Sequence, residues 1–328
     1  MTIAEDSRDA QFWFIDFRFL FSPKTSHIPT SLFSVIENRV NALLEKDGLL
    51  GAYKYLHELT LTYKMGELKR QTQKLCMERW EGSLRIEPLH RALSIQYWMD
   101  RHGVHNPKNW ILIGVHSGRS AMKDEKSSTS RIQLRWFRDA VEVKDFEVEL
   151  DLENLCTEQL LQAVITEHTF HILHGIYSSL RSRSLYQELL EVKLHMDIGM
   201  RLEIQLTRKD TMVIRIEPVT GRYAISGASS SVMTLETKLN GQPRTHVAVA
   251  QEIENFRSRY MCDKIVSQSS CLGWAVTKNP GVSVLDIKAI VPVETIQMAW
   301  LKRPGWPTDW FVCVASGSKG ESFWLYRM

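Results

Sequence analysis

The stretch Ser83–Trp98, "SLRIEPLHRALSIQYW", shares four residues in a row with Met212–Ser226, "MVIRIEPVTGRYAIS". Arg85-Ile86-Glu87-Pro88 lies over Arg215-Ile216-Glu217-Pro218, Leu89 over Val219 and Ile95 over Ile225, without a gap. A shared tetrapeptide means duplication only if the architecture around it repeats as well. Around the first copy, "RALSIQYW", "NWILIGVH" and "RIQLRWFRD" are three strand-like segments. Ile132, Leu134 and Trp136 share one face of the third, with Gln133, Arg135 and Phe137 on the other, while the second is apolar on both faces, as a central strand requires. A helix follows from about Thr157 to Arg183, capped by the threonine. Around the second copy Leu202, Ile204 and Leu206 alternate, then Met212, Ile214 and Ile216, and "RYAIS" follows a Thr220-Gly221 turn. A short helix (about Ser231 to Leu239) and a long one (about Thr245 to Ser270) come next, the latter with Val249, Ile253, Phe256 and Tyr260 on one stripe. A sheet followed by its covering helix thus occurs twice, with connections too short for βαβ crossovers, which predicts antiparallel pairing in an α+β fold. The recurrence predicts that the two "RIEP" segments occupy equivalent strands, each proline at a strand start or an edge where a missing N–H is tolerated.

The flanks extend this plan. "FWFIDFRFLF" (Phe12 to Phe21) alternates large apolar residues with Asp16 and Arg18, a strand pattern that ends at Ser22-Pro23. From Pro29 the period becomes helical to about Lys46, Asp47-Gly48 interrupts it, and a second helix places Leu49, Tyr53, Leu56, Thr60 and Tyr63 on one stripe. That is a helical hairpin. At the other end "VLDIKAIVPV" opens a third β block that runs to the last residues, with a Gly-Ser hairpin signal in "SGSKGES". The expected divisions are 1–82 for a strand and helical hairpin, 83–186 and 187–273 for the two α+β repeats, and 274–328 for the C-terminal β block.

Composition excludes several function classes. The chain has 328 residues, 44% apolar and 24% charged, an ordinary globular balance that a disordered chain does not have. A net charge of +3 among 41 basic and 38 acidic side chains creates no global field toward nucleic acid or an anionic membrane. No apolar run is long enough to span a bilayer, and the first twenty residues lack the basic-then-apolar order of a signal peptide, so a soluble, non-secreted protein is expected. Cys76, Cys156, Cys262, Cys271 and Cys313 are scattered singly and odd in number, which fits reduced, structural thiols and neither a disulfide framework nor a zinc ribbon.

The segments that hint at chemistry do not carry it. In "GVHSGRS" (Gly114 to Ser120) the glycine spacing is too short for a phosphate loop, Arg119 stands where its lysine would be, and Gly118 follows Ser117 too closely for a nucleophile elbow. The polar run Ser117 to Ser130 reads as a connecting loop. His168, His171 and His174 lie three apart and fan across their helix, so they read as a core histidine and its neighbours, not as a zinc site. Lys64, Lys69, Arg70, Lys74 and Arg79 are diluted by Glu67 and Glu78 and read as a solvated helix face. No catalytic residue, metal or cofactor is expected. Protein contact is better supported: the helix from Thr157 carries one apolar stripe of Leu161, Val164, Ile165, Ile172 and Ile176 and a second of Phe170, Leu173, Tyr177 and Leu180. With Trp306 in its Pro-Gly loop, the second stripe forms the candidate interaction surface.

Beyond pattern, "QFWFIDFRFLFSP", "VNALLEKDGLLGAYKYLHELTLTYKMGELKRQ", "RIEPLHRALSIQYW", "NWILIGVHSGR", "RIQLRWFRD" and "VRIEPVTGRYAIS" together resemble the fungal form of the Mediator subunit 14 family, over nearly the whole chain from Gln11. The resemblance implies a helical hairpin, two repeated-motif domains akin to the RWD fold and a further β block. It also implies a non-enzymatic nuclear scaffold that joins other Mediator subunits of the middle, head and tail modules and relays activator signals to RNA polymerase II indirectly, without direct nucleic-acid or membrane binding. Members are longer than this chain, with an N-terminal helical region contacting the middle module and a C-terminal extension toward the tail. The residues alone leave two alternatives open, an unrelated α+β interaction adaptor and a soluble enzyme of unknown class.

Overall fold

The computed structural model describes residues 12–23, 28–99, 109–117, 129–197, 199–227, 229–241, 245–277 and 294–327. They fall into two compact units, one ending at Ile165 and one beginning at Thr166. The fold class is α+β, with helices and three antiparallel sheets.

In the first unit the long helix α1 (Thr30–Met77) leaves helical geometry at Gly48, where φ is +66°. Only glycine takes that angle without steric cost, so the Asp47-Gly48 break is where expected. The helix folds back there: Ile36 and Val40 before the break pack with Ala52, Tyr55, Leu56 and Leu59 after it, which makes the hairpin. The expected stripe is partly wrong, since Leu49 and Tyr53 are at least half exposed and Ala52, Leu61 and Leu68 are buried instead. A five-stranded meander follows: β1 (Leu84–Leu89), β2 (Ala92–Tyr97), β3 (Trp110–His116), β4 (Arg131–Arg138) and the short β5 (Val141–Val143), paired in that order. All three predicted strands are present. Leu93, Ile95, Ile111, Ile113 and Trp136 fill its core, and the Trp136 indole donates to the Tyr97 hydroxyl at 2.8 Å, which satisfies that buried donor. Phe12–Phe21 does not form the expected strand. Its rings do alternate, with Phe19 4.9 Å from Phe17, 5.5 Å from Phe21 and 4.5 Å from Tyr63, while Leu20 is 95% exposed. Among the described residues it has no ladder partner, only an isolated bridge from Ser22 to Asn154. Alternation reports burial of one face, and pairing needs an adjacent edge as well.

Helix α2 (Thr157–Arg181) contributes Thr157–Ile165 to the first unit and Thr166–Arg181 to the second. Its start is capped differently from expectation: Thr157 is already helical, and its N–H donates to the side-chain oxygen of Gln71 at 2.9 Å, while the Gln71 amide donates to Leu155 O at 2.9 Å. A side chain from α1 thus satisfies the orphan donor.

The second unit continues through α3 (Ser184–Glu188) to a four-stranded meander, β6 (Val192–His195), β7 (Arg201–Gln205), β8 (Thr211–Ile216) and β9 (Tyr223–Gly227), then α4 (Val232–Asn240) and α5 (His246–Cys271). Leu202, Ile204, Met212 and Ile214 are fully buried, as their alternation requires. Thr245 caps α5 by accepting from Ala248 N. A third sheet, β10 (Ala275–Thr277), β11 (Thr295–Lys302), β12 (Trp310–Gly317) and β13 (Gly320–Arg327), pairs in sequence order and packs against α5. The hairpin expected in "SGSKGES" joins β12 to β13, with Gly317 opposite Gly320. "VLDIKAIVPV" and the greater part of the Ser117–Ser130 loop lie outside the described residues.

The two "RIEP" segments are not equivalent. Arg85 to Pro88 lies within β1, an edge strand, whereas Arg215 and Ile216 end β8, an inner strand, and Glu217 and Pro218 lie in the turn beyond it. Pro88 meets the edge expectation. What recurs is the antiparallel meander followed by helices, and the phrase falls in its first strand once and its third the other time.

Candidate interaction surface

The part of α2 in the second unit is split by burial. Ile172, Leu173, Ile176 and Leu180 are buried, so Leu173 and Leu180 of the expected second stripe belong to the core of the chain itself. Phe170 and Tyr177 are half-buried, and exposed His174 lies between them. The ring of His174 stands 5.3 Å from Phe170 and 6.2 Å from Tyr177, and the Arg181 guanidinium lies 5.7 Å from the Tyr177 ring and donates to its hydroxyl. Positions 170, 174, 177 and 181 are four and three apart, so they form one continuous strip along the helix. Helical period sorted both stripes onto faces, but it could not say which leucines the surrounding elements cover.

The strip is held by close packing behind it. A Cβ added at Gly175 would come within 2.6 Å of the His246 ring, so glycine is what lets α5 approach α2 this closely. His171 meets the same ring edge-on at 5.3 Å. His168 is buried in the middle of the apolar stripe, as expected of a core histidine. Among the described residues no group of three or more His, Cys, Asp or Glu is placed to hold a metal ion.

A buried charged network, which the sequence reading missed, fastens α5. Arg183 pairs with Glu254 and also donates to Gln251 Oε1 at 2.9 Å, and Arg257 Nη2 pairs with Glu321 Oε1 of β13 at 2.9 Å. Glu254 and Arg257 are almost wholly buried. Burial raises the Glu254 carboxyl above the ordinary range against the pull of Arg183 and Arg257, and burial likewise raises the Tyr186 hydroxyl. The signal was there to read: Glu254 and Arg257 sit three apart, beside Ile253 and Phe256 on the apolar stripe of α5, where charges need partners. Burial pushes the Cys262 and Cys313 thiols up to about 11, away from the thiolate that nucleophilic chemistry requires. Trp306 follows Gly305, whose φ is +83°, and is half-buried with its ring 5.8 Å from Trp274. It therefore already has an aromatic neighbour within the chain.

The strip is aromatic and partly exposed, and the buried charges behind it are paired within the chain. The Fungal Med14 domain matches residues 176–265, from the end of α2 through most of α5. The protein named "Mediator of RNA polymerase II transcription subunit 14" from Pyricularia oryzae is 37% identical over 339 residues, taking in 100% of this chain and 30% of the relative. The Neurospora crassa protein of the same name is 37% identical, over 99% of this chain and 27% of its own length, and that of Aspergillus terreus 31% identical, over 100% and 30%. The chain belongs to the fungal Mediator subunit 14 family. It spans about 30% of the length of the curated relatives it matches. The domain match includes Tyr177 and Leu180, whereas Phe170, Leu173 and Trp306 fall outside it, within the longer similarity to the subunit 14 relatives.

Proposed function

We propose that the chain acts as part of a non-enzymatic scaffold subunit of the Mediator transcriptional coactivator in the nucleus, binding other Mediator subunits and relaying activator signals to RNA polymerase II indirectly. The observation that carries this reading is the similarity to proteins named as subunit 14 over the whole chain, at 37% identity. The middle, head and tail modules are its partners in this reading, and the two meanders with their helices are its RWD-like repeats, within divisions at 82/83, 186/187 and 273/274. The strip of Phe170, His174, Tyr177 and Arg181 is the contact surface on α2. Phe170 and Tyr177 offer apolar bodies with little rotamer entropy to lose, and Arg181 offers a charged rim, a composition enriched at protein interfaces. Trp306 is a secondary anchor. Leu173 and Leu180 support the strip from behind.

The test is affinity capture of the tagged chain from fungal nuclear extract, with Mediator head and middle subunits quantified by mass spectrometry. The wild-type chain is expected to recover them. Phe170→Asp with Tyr177→Asp should lower recovery about tenfold or more while leaving the melting temperature unchanged, as loss of two interface aromatics predicts. Undiminished recovery by the double variant would remove the strip from the interface. Failure of the wild-type chain to recover any Mediator subunit would overturn the scaffold reading for this part of the protein.

A further inference from the structure

The ion pairs inside the second unit leave polar atoms over. Arg183 lies between α2 and α3, and its carbonyl accepts from Tyr186 N at 3.1 Å, which sets the first turn of α3. Its guanidinium crosses to Glu254 Oε2 on α5. Arg257, one turn further along α5, reaches Glu321 Oε1 on β13 at 2.9 Å. The Tyr186 hydroxyl feels the charges of Arg257, Glu254 and Arg183, so these side chains share one region of the interior. Tyr186, Glu254 and Arg257 are 5%, 1% and 3% exposed, and the unit itself seals them from solvent.

Four atoms of this cluster are enclosed without a hydrogen-bond partner among the described residues: Tyr186 Oη, Glu254 Oε1, and Nε and Nη1 of Arg257. A bare buried polar atom costs more than a typical hydrogen bond contributes, and folded proteins leave few of them. Among the described residues the other such atom is Trp80 Nε1, in the first unit, where it is a single donor and not a convergent set. In the second unit donors and an acceptor are left over together. None of the four bonds directly to another although their residues adjoin, which is the spacing a bridging molecule fills.

The chemistry of the set selects that molecule. Charge is already balanced, Arg183 against Glu254 and Arg257 against Glu321. An anion would confront Glu254 Oε1 and a cation the Arg257 donors, and either would add an unpaired charge where the surroundings screen little. Water donates and accepts at once, and a buried water is held by two to four polar partners. We propose that the cluster is an internal water site, in which at least one water molecule donates to Glu254 Oε1, accepts from the Arg257 guanidinium and is shared with the Tyr186 hydroxyl. A phenol hydroxyl serves as donor or acceptor, so it completes the set in either sense. Burial holds the Glu254 carboxyl above the ordinary range, as fits a carboxylate whose second oxygen has no donor from the protein. The water is a structural ligand: it ties the start of α3 to α5 and, through Arg257, to β13. The inference is independent of the proposed scaffold role, which rests on similarity and on the strip along α2.

A crystal structure of the purified 328-residue chain, at a resolution that shows ordered water, tests it. The expected result is a water oxygen about 2.7–3.2 Å from at least two of the four atoms. Direct bonds among Tyr186, Glu254 and Arg257 with no water between them, or an ion in the water's place, would overturn the proposal. Tyr186→Phe gives a second test in solution, because it removes the hydroxyl and keeps the ring. If that hydroxyl holds water, amide hydrogen exchange at residues 254–258 should quicken about tenfold, as loss of one hydrogen bond within a charged network predicts. If the hydroxyl is bare, its removal relieves a penalty, and exchange there should be unchanged or slower. That second outcome would also overturn the proposal.

Discussion

Glu87 and Glu217 stand in identical tetrapeptides and do different work. Glu87 is exposed on an edge strand, and its contact with Gln96 is long at 3.4 Å. Glu217 closes the turn between β8 and β9: its carboxylate accepts from Val219 N at 3.2 Å, Thr220 N at 2.5 Å and the Thr220 hydroxyl at 2.6 Å, and its own N–H donates to Arg222 O at 2.9 Å. The isoleucines differ in the same way, Ile86 half-buried and Ile216 buried. Four shared residues therefore carry no shared role. Position within the meander decides whether a side chain meets water, core or a turn, and the following residues, Leu89-His90 against Val219-Thr220, decide whether glutamate has donors to bind.

The comparison breaks most sharply at the isoleucines. Ile216→Asp should cost about 4 kcal/mol or more by placing an unpaired carboxylate in the core of the second sheet, and Ile86→Asp about 1 kcal/mol, because its carboxylate reaches solvent. Urea denaturation of both variants checks this, and equal losses would mean that the two sites are equally buried. At the glutamates, Glu217→Ala should destabilise by about 1–2 kcal/mol through the unsatisfied turn donors, with Glu87→Ala within about 0.5 kcal/mol of wild type. Amide hydrogen exchange should show the Glu217→Ala loss as faster exchange at Val219 and Thr220. Pro88→Ala should also cost little, about 0.4–1 kcal/mol by thermal melting, since the native ladder loses nothing and only the unfolded chain gains freedom. A larger loss there would mean that Pro88 packs against something beyond its strand.

Much of the fold is legible because local physics dominates it. Leu202, Ile204 and Leu206, then Met212, Ile214 and Ile216, alternate because one face of each strand is buried, and all six are. Gly48 breaks α1 and Thr245 caps α5 for reasons contained in a few adjacent residues. The proposed contact strip was half legible: helical period placed Phe170, Leu173, Tyr177 and Leu180 near one another, but burial removed the two leucines. His174 and Arg181 complete the strip, and as polar residues they left no trace in an apolar pattern.

By itself the sequence determined the α+β class, the two strand-then-helix successions from Ala92 to Cys271, the turns at Gly48 and at Ser318-Lys319, and membership in a family, since each rests on residues close together in the chain or on direct similarity. Tertiary structure decided everything that depends on which neighbour arrives from far away. It left Phe12–Phe21 without a ladder among the described residues, gave the capping of α2 to Gln71 from another helix, and paired Arg257 with Glu321 across 64 residues of chain. Hydrophobic periodicity records how much of a segment is buried, whereas hydrogen bonds and ion pairs record what buries it, and that partner is chosen by the packing of the whole unit.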